Sequence, residues 1–276
     1  MLTTTFETLA HGPGPGRGLR VARLGSGPPL VLLHGYPENL QLFARLAARL
    51  AGRFEVIAFD WPGMGESPAW PGGASPHQMA ERLIAVLDHV GAERAHVVGH
   101  DMGGQPALVA AAEWPARVRS LVVLNSLVLW DEATSIEIRL LRRLGWNRLV
   151  LRHLPRAVFA RALRTSLPRG TRLDPQVRAD LWRCFRRPEV RAFVSRMCAG
   201  YQGALPKLPR RYERVGAPTL VLWGERDRHF PPVHGERLAG LVPGARFELV
   251  RAGEHWMAWD RAEEVAERVG AFCSAR

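Results

Sequence analysis

The sequence predicts an α/β protein built on a mostly parallel, doubly wound sheet. Short buried strands alternate with amphipathic helices between residues 19 and 125, and the same rhythm returns between residues 219 and 272. An arginine-rich stretch with a helical pattern and no strand candidate, 126–215, separates these two parts. Because such alternation brings parallel strands side by side, we expect one sheet with helices on both faces.

The predicted elements follow from hydrophobic periodicity. The chain opens on a polar stretch with glycine and proline punctuation from Gly12 to Gly18. The predicted strands are short apolar runs that end at turns: Leu19–Leu24, Pro29–His34, Phe54–Phe59, Ala95–Val98, Val118–Asn125, Thr219–Trp223 and Arg246–Val250. The predicted helices repeat apolar residues at helical spacing: Leu40–Leu50, His77–Val90, Gln105–Trp114, Val233–Leu241 and Ala262–Phe272.

Length and composition fit one α/β domain that carries an insertion. The 276 residues are 47% hydrophobic, which supplies a large buried core. No charge-free apolar run of about 18 residues occurs, and the first residues lack the pattern of a signal peptide, so we expect no membrane span. Three widely spaced cysteines, Cys184, Cys198 and Cys273, give no support to a disulfide framework or a zinc site. The expected location is a reducing cytoplasm.

The formal net charge of +12 comes almost entirely from arginine, and lysine is nearly absent. The sequence has no zinc-finger spacing, no basic helix followed by heptads and no aromatic RNA-binding motif. The arginine excess is more typical of GC-rich coding than of a nucleic-acid surface. Arginines from Arg139 to Arg214 could favour an anionic substrate, although solvated faces are the commoner use. We expect a small-molecule substrate and neither a nucleic-acid nor a membrane partner.

The sharpest signal lies at Val97–Gly104, where a short strand meets a helix. The segment fits a glycine–X–nucleophile–X–glycine pattern, with Asp101 at its centre and Gly99 and Gly103 on either side. Such a turn is too tight for large side chains at the flanking positions, and it presents the central residue above the sheet. Asp101 is therefore the predicted nucleophile, and the backbone amide of Met102 is a predicted oxyanion donor at the helix N-terminus.

Three further segments follow strands of the same sheet. His34-Gly-Tyr-Pro37 ends an earlier strand, and the amide of Tyr36 is the predicted second oxyanion donor. Asp227 follows a later strand, and His255 lies in the loop after the last one. Taken singly, a loop acid is usually solvated and a lone histidine usually packs. Together these residues follow the chain order nucleophile, acid, histidine, which is the order of the α/β-hydrolase triad.

The sequence resembles the α/β-hydrolase superfamily along nearly its whole length. The resemblance implies a core of residues 1–125 and 216–276, with a helical cap, 126–215, inserted after the sixth strand. Within the superfamily, His34–Glu38 and Gly99–Gly104 resemble the epoxide hydrolase and dehalogenase branch, whose nucleophile is aspartate; esterases and lipases would place serine at position 101. The motif residues that support this resemblance are His34, Gly35, Pro37, Gly99, His100 and Gly103.

An aspartate nucleophile implies displacement at saturated carbon, because a carboxylate is a poor reagent for ester hydrolysis. Asp101 would open an epoxide or expel a halide and form an alkyl-enzyme ester. His255, oriented by Asp227, would then activate water against the ester carbonyl, while the amides of Tyr36 and Met102 stabilise the oxyanion. This scheme requires no metal and no organic cofactor.

The leaving group would be stabilised from the cap. Epoxide hydrolases use cap tyrosines, usually two, to protonate the epoxide oxygen, and the resemblance assigns this role to Tyr201. Tyr212 is predicted to lie on the surface, and the expected first cap tyrosine has no evident counterpart.

Haloalkane dehalogenases instead hold halide with a tryptophan after the nucleophile, where this chain has Met102. Fluoroacetate dehalogenases place arginines in the same stretch, where this chain has Gly103, Gly104 and Gln105. The tryptophans that could still donate to a halide are Trp130, Trp146 and Trp182. Epoxide hydrolase is the leading prediction and a haloalkane or haloacid dehalogenase the alternative. A non-covalent lyase or esterase and a ligand receptor on the same fold also remain open.

Overall fold

The computed structural model describes residues 1–9, 18–143 and 145–276. In these residues eight strands form one sheet in the order β1-β2-β4-β3-β5-β6-β7-β8. The strands are β1 (Thr5–Thr8), β2 (Gly18–Leu24), β3 (Pro29–Leu33), β4 (Glu55–Phe59), β5 (Ala95–His100), β6 (Val118–Leu124), β7 (Thr219–Gly224) and β8 (Arg246–Val250). β2 runs antiparallel to β1 and β4, and the other neighbours pair in parallel. The predicted mostly parallel sheet is confirmed.

The helices of the described residues are α1 (Ala44–Leu50), α2 (Pro76–His89), α3 (Gly104–Glu113), α4 (Ile136–Leu141), α5 (Trp146–His153), α6 (Pro155–Ser166), α7 (Pro175–Phe185), α8 (Pro188–Ala204), α9 (Pro209–Tyr212), α10 (Val233–Leu241), α11 (Met257–Asp260) and α12 (Ala262–Ser274). The predicted helix Leu40–Leu50 begins as a 3₁₀ turn over its first four residues. β1 was not predicted, because its four residues are mostly polar and exposed. Most of the glycine- and proline-rich opening lies outside the described residues.

The core lies on both faces of the sheet, as a doubly wound fold requires. In β3, Val31 and Leu33 pack into one hydrophobic cluster, which includes the apolar faces of α2 and α3. Leu30 and Leu32 point the other way, into a cluster formed with α1 and α12. This alternation explains why the central strands are apolar throughout, and it confirms helices on both sides.

The cap helices α4–α9 lie between β6 and β7 in the chain, which confirms an insertion after the sixth strand. A buried ion pair connects this insertion to the core: Arg20 of β2 lies 3.0 Å from Asp180 of α7. The prediction that Tyr212 lies on the surface is wrong. Its ring is buried, and its hydroxyl donates to the carbonyl of Val128 at 2.7 Å. The domain boundaries at residues 126 and 215 stay predictions.

Long apolar helices do not occur among the described residues, and none of those helices could cross a bilayer.

Candidate active site

The turn between β5 and α3 has the geometry of a nucleophile elbow. Asp101 takes a left-handed backbone conformation, with φ at 50°, which is uncommon for a residue with a side chain. A Cβ atom on Gly103 would lie 2.2 Å from the carbonyl oxygen of Leu33, and one on Gly99 would lie 2.6 Å from that of Gly103. Both flanking positions therefore require glycine. Strained backbone of this kind is concentrated at active sites.

Asp101, His255 and Asp227 form a hydrogen-bonded triad. Nε2 of His255 lies 3.1 Å from Oδ2 of Asp101, and Nδ1 of the same ring lies 2.9 Å from Oδ2 of Asp227. The second oxygen of Asp227 accepts from the backbone amides of His229 and Phe230. All three triad side chains are buried. The structure thus places the three predicted residues together, at the carboxyl ends of β5, β7 and β8.

The triad carries strongly interacting charges. Burial raises the pKa of Asp101, and the hydrogen bond from His255 opposes this rise only in part. Burial lowers the pKa of His255, but the Asp227 and Asp101 carboxylates raise it well above its usual value. Burial also raises the pKa of Asp227, and its contact with His255 more than offsets this, so that the net shift is downward. His255 is therefore a cation held between two carboxylates when both are ionised.

The turn after β3 packs directly against the Asp101 side chain. A Cβ atom on Gly35 would lie 2.3 Å from Cβ of Asp101 and 2.7 Å from its Oδ1. Oδ1 therefore faces the Gly35–Tyr36 turn, whereas Oδ2 faces His255. The buried His34 supports this turn: its Nδ1–H donates to the carbonyl of Gly35, and its Nε2 accepts from the amide of Trp61.

His100 and Glu38 form a buried pair beside the triad. The sequence indicated both residues only as parts of their motifs and did not predict that they contact each other. Nδ1 of His100 lies 3.0 Å from Oε2 of Glu38, and Nε2 lies 2.9 Å from the carbonyl oxygen of His255. Burial raises the pKa of Glu38, but the charge and hydrogen bond of His100, the charge of His255 and the hydrogen bond from the Gly35 amide together lower it. Both ring nitrogens of His100 therefore lie within hydrogen-bonding distance of an oxygen atom. Glu38, His100 and His255 are close enough to suggest metal ligands, but the ring nitrogens of both histidines already have oxygen partners within the protein.

Asn125, at the end of β6, joins the three catalytic loops. Its side-chain amide donates to the carbonyl oxygens of Glu254 and His255 at 3.0 and 2.9 Å, and its Oδ1 accepts from the amide of Gly224 at 2.7 Å. Its own carbonyl accepts from the amide of Asp101. The residue was predicted as the last of a strand, without a role. Its backbone φ of 39° is a conformation that asparagine tolerates better than most residues.

A cavity of about 230 Å³ opens over Asp101 and His255. Its core wall comes from Tyr36, Pro37 and His229, and its cap wall from α4, α5 and α6. The cap wall is mainly apolar and contributes these side chains: Ile138, Leu140, Leu141, Val150, Leu154, Ala157, Val158 and Ala162. The volume and lining fit a small, largely apolar substrate.

His229 is a second functional candidate that the sequence did not reveal. Its ring packs edge-on against His255, and its Nδ1 lies 2.9 Å from Oγ of Ser135. Burial, followed by the neighbouring charge of His255, lowers the pKa of His229 to about 4. It is therefore a neutral hydrogen-bonding group in the cavity wall at neutral pH. Its position two residues after Asp227 was the available signal.

Of the two buried tyrosines near the elbow, only Tyr36 lines the cavity; Tyr201, the residue predicted to protonate the leaving group, does not. Tyr201 is instead buried on α8. Tyr36 lines the cavity, and its buried hydroxyl has no hydrogen-bond partner among the described residues. Burial raises the pKa of both tyrosines well above the usual value, and Asp101 adds to the rise.

The tryptophans considered as halide donors lie away from the reacting groups. The ring of Trp130 lies under the guanidinium of Arg142, Trp146 is exposed, and Trp182 packs against Phe159 and Phe185. Among the described residues, no tryptophan lines the cavity.

Comparison with known proteins gives a family and a set of relatives. A family model described as alpha/beta hydrolase fold matches residues 28–262. A 2-hydroxy-6-oxononadienedioate/2-hydroxy-6-oxononatrienedioate hydrolase of Paraburkholderia phymatum is 30% identical over 269 residues, which cover 94% of this chain and 88% of the relative. Its name describes neither an epoxide hydrolase nor a dehalogenase, so that branch stays a prediction.

Solved structures give the same fold. A membrane phospholipase A, described as a bacterial virulence factor, superposes with a TM-score of 0.84 at 26% identity, covering 99% of this chain and 86% of that one. A thermophilic esterase from Thermogutta terrifontis has a TM-score of 0.81 at 24% identity, covering 99% and 98%. The second likeness concerns the fold alone.

Proposed function

The chain belongs to the alpha/beta hydrolase fold family, and we propose that it hydrolyses a small substrate through a covalent ester on Asp101. The observation that carries the proposal is the carboxylate at the elbow, whose Oδ2 lies 3.1 Å from Nε2 of His255. A hydroxyl nucleophile would attack a carbonyl, but a carboxylate would give a reactive anhydride there. Displacement at saturated carbon gives a stable ester that water can hydrolyse in a second step.

In the first step Oδ2 of Asp101 attacks a carbon atom of the substrate, and the bond from that carbon to the leaving group breaks. Asp101 must be ionised to react. The hydrogen bond from His255 favours the ionised form against the cost of burial. Oδ1 stays against the Gly35 turn, on the side of the predicted oxyanion amides of Tyr36 and Met102.

In the second step water attacks Cγ of the ester and gives its proton to Nε2 of His255. Formation of the ester removes the negative charge of Asp101, which is one of the causes that raise the pKa of His255. The pKa of His255 therefore falls when it must act as a base. The tetrahedral intermediate then collapses with cleavage of the Cγ–Oδ2 bond, and Nε2 of His255 returns the proton to the departing oxygen. The alcohol leaves with the former Oδ2, and the oxygen from water stays in Asp101.

An epoxide is the leaving group that the cavity favours. Its oxygen needs a proton as the ring opens, and two buried phenols are kept protonated by their raised pKa values. Tyr36 lines the cavity, whereas Tyr201 lies outside its lining. Tyr36 supplies the second hydroxyl for which no cap tyrosine was found. A halide would need indole or similar donors, and the described lining of the cavity offers no tryptophan. Dehalogenation therefore remains the less favoured covalent alternative.

A second candidate function is hydrolysis at a carbonyl-activated bond without an alkyl ester. It is favoured by the 30% identity to the 2-hydroxy-6-oxononadienedioate hydrolase. In that case the Asp101 carboxylate and His255 would direct water to the substrate carbonyl, and Asp101 would not become esterified.

Intact-protein mass spectrometry of His255→Gln tests the proposal. Without the base, the ester should accumulate when the variant is incubated with a panel of terminal epoxides, haloalkanes and haloacids. A mass gain equal to a whole epoxide supports an epoxide hydrolase, and a gain equal to substrate minus hydrogen halide supports a dehalogenase. His255→Gln/Asp101→Ala is the matched control and should stay unlabelled. Absence of any adduct, together with turnover of a ring-cleavage dienedioate by the wild type, would contradict the covalent route.

The roles of the two phenols are tested by Tyr36→Phe and Tyr201→Phe. Tyr36→Phe should slow adduct formation from an epoxide by about 10²-fold, because general acid catalysis of this kind contributes about 10²–10⁴. Tyr201→Phe should slow it less, because Tyr201 is not among the residues that line the cavity. Alkyl bromides, whose leaving group needs no proton, should react with both variants at a rate close to that of the parent protein. Equal slowing with both substrate classes would instead indicate loss of packing around the cavity.

A further inference from the structure

The cap carries a surface with an unusual combination of charge and exposed apolar side chains. Residues 138–173 contain ten arginines and no acidic residue, so this stretch accounts for most of the net charge of +12. Within it, Trp146, Leu149 and Leu154 are 62%, 54% and 55% exposed. Exposed side chains of this size are costly to keep in water, and their grouping on one short segment indicates a contact surface.

Helix α5 separates these properties into three strips. Asn147 and Leu151, four residues apart, are buried against the rest of the protein. Arg148 and Arg152, each one position further along, form a second, exposed strip at the same spacing. The side chains of Trp146 and Leu149 lie between these two strips, where helical geometry places positions three apart on one face. An α-helix with adjoining basic and apolar strips is suited to lie in the plane of an interface.

The apolar strip continues into the catalytic cavity. Val150 and Leu154 follow Trp146 at four-residue steps, and both line the cavity over Asp101. An apolar molecule that leaves a surface in contact with Trp146 and Leu149 would therefore meet the cavity wall directly.

We propose that α5 and the adjoining arginines dock the cap onto an anionic lipid surface, with Trp146 and Leu149 inserted at the level of the headgroups. Arginine pairs with lipid phosphate, and tryptophan is favoured at membrane interfaces. The proposal departs from the expectation of no membrane partner, which rested on the lack of a spanning segment; a surface helix contacts a bilayer without crossing it. It does not depend on the chemistry proposed for Asp101.

Two other occupants fit the surface less well. A second copy of the chain in a two-fold dimer would bring like arginine-rich surfaces together, and no acidic residue of 138–173 would offset them. A nucleic acid would match the charge, but Leu149 and Leu154 offer no hydrogen bond to a base and would remain exposed apolar surface.

Vesicle co-sedimentation of the full chain tests the proposal. The wild type should bind vesicles of equal parts phosphatidylglycerol and phosphatidylcholine, bind pure phosphatidylcholine far more weakly, and lose binding as salt is raised. Trp146→Ser/Leu149→Ser should bind at least about tenfold more weakly, because two interfacial apolar contacts are removed. Arg148→Gln/Arg152→Gln should bind about thirtyfold more weakly, because each arginine near an anionic surface contributes about 1 kcal/mol.

Matched controls lie outside the segment 138–173. Val233→Ser/Leu249→Ser removes two partly exposed apolar side chains of the core, and Arg49→Gln removes an exposed arginine of α1. These variants should bind vesicles as the wild type does, and every variant should keep the wild-type circular dichroism spectrum. The proposal is overturned if the wild type fails to bind anionic vesicles, or if Trp146→Ser/Leu149→Ser binds them equally well. A duplex oligonucleotide that displaces the vesicles, or self-association abolished by the same substitutions, would overturn it in favour of those occupants.

Discussion

The catalytic loops of the core and the cap helices α4–α6 differ in how tightly their side chains are fixed. In the loops, polar side chains such as Asp227 and Asn125 are buried, and each has two or more hydrogen bonds. In α4–α6, most arginines have no carboxylate partner among the described residues, and several large apolar side chains face solvent. Hydrogen bonds in the loops hold side chains at fixed distances from one another, whereas α4–α6 contribute one wall of the cavity and an exposed outer surface.

The two regions are therefore expected to control different properties: the loops control the chemical step, and the cap controls which substrate fits the cavity. A reaction that depends on distances of about 3 Å needs the dense bonding found around Asp101 and His255. A cavity wall formed by Leu154, Val158 and Ala162 selects by shape and polarity, and it tolerates changes that preserve volume. Substitutions in the two regions should therefore separate chemistry from substrate delivery.

The largest expected difference is between Asp101→Ala and Trp146→Ser. Loss of the nucleophile should lower kcat by about 10⁴-fold or more, as for triad residues that act as a unit. Trp146 is exposed and does not line the cavity, so its substitution should leave kcat on a water-soluble substrate unchanged within about twofold. Steady-state turnover of the substrate that labels His255→Gln measures both values. Substantial activity in Asp101→Ala would remove the basis of the covalent proposal.

A matched pair of buried asparagines gives the next comparison. Asn125→Ala frees the loops that carry Asp101 and His255, and a displacement of about 1 Å is expected to cost about 10²-fold in kcat. Asn147 of the cap is equally buried, and its amide bonds to the carbonyl oxygens of Leu141 and Ser195. Asn147→Ala should therefore lower the melting temperature but change kcat much less. Similar kcat losses in the two variants would show that the cap is as tightly coupled to the chemistry as the loops are.

Substitution of one glycine in each region by alanine should change the free energy of unfolding in opposite directions. A methyl group at Gly103 would meet the backbone of Leu33 at 2.2 Å, so Gly103→Ala should lower the free energy of unfolding by about 1–3 kcal/mol. Gly203, in helix α8 of the cap, has nothing within 4 Å of the added atom. Gly203→Ala should raise the same free energy by about 0.5–1 kcal/mol through better helix propensity. Denaturant unfolding measures both, and a stable, active Gly103→Ala would contradict the tight elbow.

The pH dependence of adduct formation gives the smallest expected effect. Burial raises the pKa of Asp101, so the unreactive acid form persists to higher pH than for an ordinary aspartate. Alkylation should be complete above that raised pKa and be lost as the pH falls through it. In His255→Gln the hydrogen bond that opposes the rise is gone, so the loss should begin at still higher pH. Quenched-flow mass spectrometry at several pH values would detect it. A loss in the ordinary aspartate range in both proteins would contradict a desolvated Asp101.

The sequence predicted those features that depend on neighbours in the chain. The sheet followed from apolar runs, and the elbow followed from Gly99 and Gly103 around Asp101, because a tight turn demands small residues at fixed spacing. β1 lacked an apolar pattern and was missed. The predicted roles of Asp227 and His255 came from chain order, and the structure brings their side chains to 2.9 Å.

Features that depend on distant contacts could not be predicted in this way. Asn125 bonds to residues about a hundred positions or more along the chain, and nothing beside it in the sequence indicates those partners. Tyr212 was predicted on the surface because arginines precede it, but its hydroxyl reaches the carbonyl of Val128. The packing of α4–α6 around the cavity is equally non-local, so neither its lining nor the position of Tyr201 followed from helical periodicity.

Isotope transfer from water in the wild-type protein tests the covalent role of Asp101 most directly. The protein would be incubated in ¹⁸O-labelled water with the substrate that labels His255→Gln, and the peptide that contains Asp101 would then be analysed by mass spectrometry. The covalent route predicts that this peptide gains ¹⁸O, and that the product of a single turnover carries the unlabelled oxygen of Asp101. An unlabelled peptide, with ¹⁸O in the product of the first turnover, would contradict the account and assign Asp101 to direct activation of water.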